Sequence, residues 1–430
     1  MSAALLRRIM QDHGDDPALR ASLSDYAHAA VLDIAACGTV ACGTHLEVCD
    51  HCGDQREVPN TCGNRSCPLC QGAARARWVA ARDADLLPVS YAHVVCTVPH
   101  ELLWLFVAFP HLAYSLLMRA ATSAVLWLAA QERHLGAEVG LIAVLHTWKR
   151  DLGLHPHVHL LVTAGGWCAA TGRWVDAPLG SRRGQRGFFL PVAALRAAFQ
   201  RRFRRLLLRA LADGDFHADP DRVVRFPQLA DDATLRSYLD CLLQKRWCIR
   251  IEPPSGSPEI LLRYLGRYIN RVAISPGRIR SYDGQSVTFD GKGQPFTLPA
   301  ADFVRRFAQH VLPPGFVRIR FCGLWATRHR GAKLEMARAW LAARGRRRTP
   351  APTTPPSPAA PLPCVGVGVL AAPAPRPSGA APGDPCPRCG QGVYRRCPGG
   401  HRPRRPERQR LLRLMLADRS QTPGGASTPA

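Results

Sequence analysis

The sequence predicts an α+β fold in which a small cysteine-rich module precedes an antiparallel sheet flanked by helices. Three features predict it. Strand-like apolar runs and helical periodicities mix without the strict alternation of a doubly wound sheet. Seven of the 16 cysteines fall within residues 37–70. A late stretch, 345–385, is rich in Pro, Ala, Gly and Thr and cannot bury a core.

In chain order, residues 1–86 begin with a helix, pass through Gly- and Cys-rich loops and end in a helical stretch at 71–85, the pattern of a metal-stapled module. From Tyr91 the pattern changes. Residues 92–98 read as a strand, 101–134 as mostly helical, and 141–148 and 158–163 as strands whose short connection suits a hairpin. Helices follow at about 191–212 and 232–245, then a short strand at 247–251. The next helix has a clean start, with Ser257 as cap, Pro258 at the first position and Glu259 favouring the positive dipole end. Strand-like runs at 278–282 and 286–289 surround Asp283-Gly284, another spans 316–321, and a helix spans 331–344. Residues 87–344 thus form the main domain. Residues 345–385 read as a disordered linker, and 386–430 as a basic tail carrying Cys386, Cys389, Cys397 and His401, which could form a zinc knuckle.

The 430-residue chain carries 57 Lys plus Arg against 32 Asp plus Glu, a net charge of +25. That balance excludes an ordinary acidic metabolic enzyme and calls for a polyanionic partner, nucleic acid first and an anionic membrane surface second. The most apolar stretch, 102–130, is interrupted by Pro110, His111 and Arg119, so a membrane span is not expected, and residues 1–8 do not read as a secretory signal. A reducing, cytoplasmic setting is expected, in which clustered cysteines point to metal rather than to disulfides.

Three constellations carry chemistry. Cys49-Asp-His-Cys52 and Cys67-Pro-Leu-Cys70 are two CxxC pairs 14 residues apart, and each can bite one Zn²⁺ with both sulfurs. The plainer alternative is buried thiols without metal. Cys37, Cys42, His45 and Cys62 surround them as a possible second site with the choice of ligands open, Cys37, His45 and Cys62 being the set favoured. His155-Pro-His157-Val-His159 leads into an apolar run, and residues two apart on a strand face the same way, so His157 and His159 can address one divalent ion. His146 on the preceding strand is placed to add a third ligand, with His155 its rival. Finally, Tyr264 and Tyr268 lie one helical turn apart beside Arg263, Arg267 and Arg271, a cationic stripe suited to DNA phosphates. Taken alone, the tyrosines could equally be the core face of an amphipathic helix. Trp148, Trp167 and Trp247 could stack on unpaired bases or pack in the core.

Together these phrases resemble the two-tyrosine rolling-circle transposases of the HUH endonuclease superfamily that carry an N-terminal transposase zinc-binding domain. The resemblance covers roughly residues 25–335. It includes the four cysteines with Asn64-Arg65, His93-Val-Val-Cys-Thr-Val-Pro-His100, Leu145-His-Thr-Trp148, the histidine run, Tyr264-Leu-Gly-Arg-Tyr268 and His310-Val-Leu-Pro-Pro-Gly. It implies an HUH-type central antiparallel sheet with the histidines on one strand and the tyrosines on a facing helix, structural Zn²⁺, and Mg²⁺ or Mn²⁺ on His157 and His159. It further implies that a tyrosine attacks single-stranded DNA at an element end, leaving a 5′-phosphotyrosine link and a free 3′-hydroxyl. No nucleotide cofactor is implied, in keeping with the absence of a GxxxxGK[ST] loop. The implied setting is the bacterial nucleoid. Ser66, Asn270 and Lys149-Arg150 depart from the family pattern but leave the histidines, tyrosines and CxxC pairs intact. Rival readings are a rolling-circle replication initiator, a relaxase, and a non-catalytic zinc-dependent DNA-binding regulator.

Overall fold

The computed structural model describes residues 2–177, 190–216, 226, 231–252, 273–291, 293–328, 330–346, 385–397, 400 and 402–421. The expected helix after Ser257, most of the 345–385 stretch and His401 lie outside the described residues.

The N-terminal part opens with α1 (Ser2–His13), α2 (Pro17–Ser22) and α3 (Asp25–Ala36). Asp16 starts α2 by accepting the Leu19 N–H at 2.8 Å, with Pro17 at the first helical position, where its missing N–H costs nothing. A hairpin, β1 (Thr44–Cys49) and β2 (Gln55–Pro59), lies where loops were expected; its strands are too short and polar for an alternation to stand out. Helix α4 (Gly72–Asp83) leads into the main domain.

There β3 (Tyr91–Thr97) is followed by α5 (Leu103–Ala108) and α6 (Pro110–Ala130). The helical stretch breaks between them because Pro110 drives Phe109 out of the helical region, to φ −131° and ψ 59°. Helix α6 is long and apolar enough to cross a membrane by length and composition alone; here 67% of its most apolar window is buried in the fold. Then come β4 (Gly140–Trp148), β5 (Leu154–Thr163), the small hairpin β6 (Gly165–Cys168) and β7 (Arg173–Asp176), α7 (Val192–Ala212), α8 (Asp232–Gln244) and β8 (Ile249–Glu252). A three-stranded meander, β9 (Ile279–Tyr282), β10 (Ser286–Asp290) and β11 (Pro295–Pro299), runs into α9 (Ala300–Ala308). Strand β12 (Ile319–Gly323) and α10 (Arg330–Ala342) complete this part, and β13 (Tyr394–Arg396) and α11 (Arg405–Gln421) come from the tail.

The central sheet has the order β12-β4-β5-β3-β8, and every pair in it is antiparallel. The mixed, antiparallel class expected from the sequence is the one observed. One face, including Val94, Cys96, Leu141, Ala143, Val158 and Leu160, is buried with residues of α5, α6 and α7, among them Phe199 and Phe203. The opposite face buries Ile142, Val144 and Leu161 at one end, with Trp325 and Leu334. Its other end carries histidines.

A further core crosses the boundary expected at residues 86 and 87. Leu6, Ile9, Met10 and Ile34 are buried with Phe289, Phe303 and Phe307, and with Leu412 of the tail. Arg65 strengthens this joint by donating to the carbonyls of Phe316 at 2.7 Å and Leu312 at 2.9 Å. Replacing the fully buried Phe303 with Ala removes a ring from this shared core and is expected to cost about 3–5 kcal/mol. Urea unfolding of the full chain checks this; a loss below about 1 kcal/mol would show that the joint is not tightly packed.

Candidate functional site

Strands β4 and β5 pair so that His146 lies directly opposite His157 and Val144 opposite His159. Since residues two apart share a face, all three imidazoles emerge on the sheet face away from α6. Their ring centroids are 4.2 Å (His146 to His159), 4.9 Å (His157 to His159) and 5.3 Å (His146 to His157) apart. One ligand nitrogen from each lies within 4.8 Å of the others. Of the two candidates for a third ligand, it is His146 that joins the pair; among the described residues His155 is not in the group and instead offers its carbonyl to His157 Nδ1 at 2.6 Å.

The turn that joins the strands is held from below. Leu152, buried in the left-handed region at φ 63°, offers its carbonyl to Gln309 Nε2 at 2.8 Å and to His310 Nε2 at 3.0 Å. His310 Nδ1 then accepts from the Thr147 hydroxyl at 3.1 Å, next to His146. Trp148 stacks on His146 at 4.9 Å, so it walls the cluster.

Two residues that the sequence reading did not assign complete the geometry. His93 on β3 contacts His159 Nδ1 through Nε2 at 2.8 Å and contacts Glu252 Oε2 through Nδ1 at 2.9 Å. One set of tautomers fits these two bonds: Glu252 accepts from His93 Nδ1–H and His93 Nε2 accepts from His159 Nδ1–H, which makes Nε2 the deprotonated nitrogen of His159. His157 donates Nδ1–H to the His155 carbonyl and likewise keeps Nε2 deprotonated. The signal for His93 was its place in a strand-like run; which strand it would face was not encoded locally, and Glu252 lay at the end of a short strand with no pattern around it.

Burial is the main cause that pushes all three histidines down, aided by repulsion from neighbouring histidines: His146 and His159 well below the usual imidazole range and His157, beside His155 and His93, to about 4. Neutral imidazoles are the form that binds a cation. The hydrogen bond from His93 holds the Glu252 carboxyl below its ordinary value, so the end of the relay stays anionic.

Tyr264, Tyr268, Arg263, Arg267 and Arg271 lie outside the described residues. Of the three tryptophans considered for base stacking, Trp247 is buried against Phe199 and Phe203, Trp167 packs beside the Trp325 core, and Trp148 serves the histidine cluster.

The cysteines regroup. The structure does not bring Cys49 and Cys52 to Cys67 and Cys70. Cys67 and Cys70 join Cys37 and Cys62, whereas Cys49 and Cys52 join Cys386 and Cys389. His45, expected near a second zinc, instead bonds Asn60 at 3.0 Å and Glu47 at 3.3 Å. Spacing defines which two sulfurs act as one bite; the pairing of bites is set by how distant segments dock. In the first group Cys62 Sγ and Cys70 Sγ are 3.8 Å apart. That is the edge of a tetrahedron with Zn–S bonds of about 2.3 Å, about 3.8 Å, and far beyond the roughly 2 Å of a disulfide. Burial pushes the Cys67 thiol well up, while hydrogen bonds from Cys37, Cys62 and Cys67 pull Cys70 down. Four such sulfurs carry full thiolate charge only around a cation, so the donor set fits zinc. Nearby Cys42, donating to the Ala36 carbonyl and pushed up to about 11 by burial, stays outside the group as a neutral thiol.

Residues 140–333 match the protein family described as "Putative transposase", and residues 9–98 match the family described as "Transposase zinc-binding domain". The putative transposase y4qJ of Sinorhizobium fredii (strain NBRC 101917 / NGR234) is 38% identical over 324 residues, which cover 74% of this chain and 79% of the relative. This chain belongs to the insertion-sequence transposases with an N-terminal zinc-binding domain. The transposase for insertion sequence element IS801 of Pseudomonas savastanoi pv. phaseolicola is 28% identical over 318 residues, covering 71% of this chain and 72% of the relative. No solved structure matches the chain. The zinc-binding match spans the Cys37, Cys62, Cys67 and Cys70 group, and the transposase match spans His146, His157 and His159, so sulfur and imidazole centres fall in different parts of the transposase. Like any transposase, the protein has DNA as its partner, in keeping with the charge of +25.

His310, fully enclosed beneath the turn, is pushed down to about 4 by burial. Between its ordinary value of 6.5 and about 4 the unfolded transposase binds a proton that the folded one refuses, so stability falls as pH falls through that window and levels off below it. Unfolding measured from pH 8 to 4 is expected to show that loss, with a His310→Gln variant showing a shallower slope by at most about 1.4 kcal/mol per pH unit. Equal slopes would remove His310 from this account.

Proposed function

We propose that this transposase nicks and rejoins single-stranded DNA at element ends through 5′-phosphotyrosine links, as in rolling-circle transposition. Tyr264 and Tyr268 are the nucleophiles, and His146, His157 and His159 are the ligands of a divalent ion. The observation that carries this reading is the cluster of three imidazoles, His146 and His159 buried and His157 half-buried, on one sheet face of a transposase. An all-nitrogen donor set suits a transition ion such as Mn²⁺ better than oxygen-seeking Mg²⁺. When bound, such an ion would polarise the scissile phosphate and offset the charge that develops on its oxygens.

The chain's own residues do the rest. Glu252 and His93 hold the His159 ring so that Nε2 stays deprotonated and aimed into the cluster, and Trp148 keeps water from one side of His146. Arg263, Arg267 and Arg271 bind phosphates along the strand. A tyrosine oxygen, giving up its proton, attacks phosphorus; the bond to the 3′ oxygen breaks and that oxygen takes up a proton. The phosphodiester bond is exchanged rather than hydrolysed, so rejoining by the 3′-hydroxyl needs no nucleotide. The second tyrosine handles a second end while the first holds its strand. In this reading residues 87–344 carry the chemistry, and the zinc-bearing residues find the DNA.

Full-length protein incubated with Mn²⁺ and single-stranded oligonucleotides from the ends of its own element is expected to form a covalent adduct with the fragment that carries the new 5′ end at the nick, an adduct that survives denaturation. The adduct should vanish with chelator and in the Tyr264→Phe, Tyr268→Phe double variant. Intact, salt-dependent DNA binding without any adduct would overturn the proposal in favour of a non-catalytic DNA-binding protein. Glu252→Gln, which cannot draw the His93 proton in the same way, should weaken Mn²⁺ binding about 10–100-fold while excess Mn²⁺ restores adduct formation. An unchanged Mn²⁺ titration would show that the relay does not orient His159.

A further inference from the structure

Cys386 and Cys389 lie beyond both the zinc-binding and the transposase matches, yet they converge on Cys49 and Cys52 across more than 330 residues of chain. Cys49 Sγ and Cys389 Sγ are 3.8 Å apart, and Cys52 Sγ and Cys386 Sγ 3.7 Å. Both separations match the roughly 3.8 Å edge of a tetrahedron of sulfurs at about 2.3 Å from zinc.

The two halves are also built alike. Each is a CxxCG turn, Cys49-Asp-His-Cys52-Gly53 and Cys386-Pro-Arg-Cys389-Gly390. In each the glycine is left-handed, at φ 70° for Gly53 and 66° for Gly390, and its N–H returns to the carbonyl of the first cysteine, at 3.1 Å and 2.9 Å. Such a turn points both sulfurs of a pair to the same side. The Gly392 N–H donates to Cys389 Sγ at 3.4 Å, the kind of bond that favours a thiolate over a thiol. A Cβ on Gly392 would come within 2.5 Å of Cys49 Sγ, so only glycine lets the tail approach this closely.

Around the sulfurs the segments are matched in detail. Strand β13 pairs antiparallel with β1, Cys49 opposite Tyr394. Tyr394 bonds the Asp54 carboxylate at 2.5 Å beneath the Arg56 guanidinium, and Arg395 meets Asp50 at 2.8 Å. Among the described residues, the apolar cluster at the sulfurs themselves is small, Cys49, Cys386 and Tyr394 with Cys389 packed against them, and the rest of the tail's apolar contact comes from α11, whose Leu412 is buried in the core shared with Leu6 and Ile34.

We infer that Cys49, Cys52, Cys386 and Cys389 hold a zinc ion of their own, which fastens the C-terminal segment to the N-terminal module. The docked tail then bridges both cysteine centres. Helix α11 continues from the fastened strand, with Arg408 donating to the Cys62 carbonyl at 3.0 Å and pairing with Asp33 at 3.1 Å beside Arg405. The zinc module is thereby assembled from both ends of the chain, and the basic α11 becomes part of it. This inference is independent of the tyrosine chemistry.

The test is the zinc content of the purified full chain, by elemental analysis. In a His157→Ala, His159→Ala background, which keeps metal on the imidazole cluster out of the count, two zinc ions per chain are expected with every cysteine intact, one in Cys386→Ser, Cys389→Ser, one in Cys62→Ser, Cys70→Ser, and two in Cys397→Ser, whose cysteine belongs to neither group. Retention of two ions in Cys386→Ser, Cys389→Ser, or a single ion with every cysteine intact, overturns the inference. Cobalt titration of the metal-stripped chain with every cysteine intact, in the same background, covers the case in which the serine variants do not fold. Thiolate-to-cobalt absorption rising to two equivalents supports the second centre, and saturation at one overturns it.

Discussion

The pairing register of β4 with β5 is the constraint on which the candidate active site depends. With His146 opposite His157, all three imidazoles share one face, while Leu145, Val158 and Leu160 fill the other beneath α6. A slip of one residue would turn the histidines into the apolar core and the leucines outward, which neither face could accept. The register is anchored at the turn, where Leu152 takes a backbone conformation uncommon for a branched side chain and its carbonyl receives Gln309 and His310. Geometry at the cluster is therefore held partly by residues some 150 positions later in the chain.

The sheet divides labour between its faces. An unbroken apolar face against three helices supplies the burial that drives folding, and this allows the opposite face to carry ionisable groups that earn nothing for stability. Burial keeps those histidines neutral, and Glu252 supplies an anion two bonds away from His159 without crowding it. A carboxylate placed directly among the imidazoles would instead favour their protonation. The same desolvation that is costly to the fold prepares the cluster to accept a cation.

In the cysteine-bearing part the solution is different. The strands β1, β2 and β13 are of three to six residues and bury little. Short polar strands of this kind do not stand alone, and sulfur–metal bonds replace the missing core. Arg65 then ties this part to the main-chain carbonyls of Leu312 and Phe316, and Arg405 and Arg408 tie the tail to it through the buried Asp33.

Sequence by itself determined the local features. Period-two spacing made His157 and His159 face one way, apolar runs marked β3, β4 and β5, CxxC spacing marked sulfur pairs that bite together, and the excess of arginine marked a polyanionic partner. The family resemblance also followed from ordered local phrases. What only the tertiary structure decided was which of these features meet. His93 and Glu252 joined the histidines because β3 lies between β5 and β8, a strand order that no local pattern encodes. The CxxC pair at Cys49 turned away from its neighbour in sequence to a partner in the tail because strand β13 docks on β1. Short-range spacing records the geometry of one turn or one strand; the contacts between distant segments depend on burial and hydrogen bonding summed over the whole chain, and those are settled only when it folds.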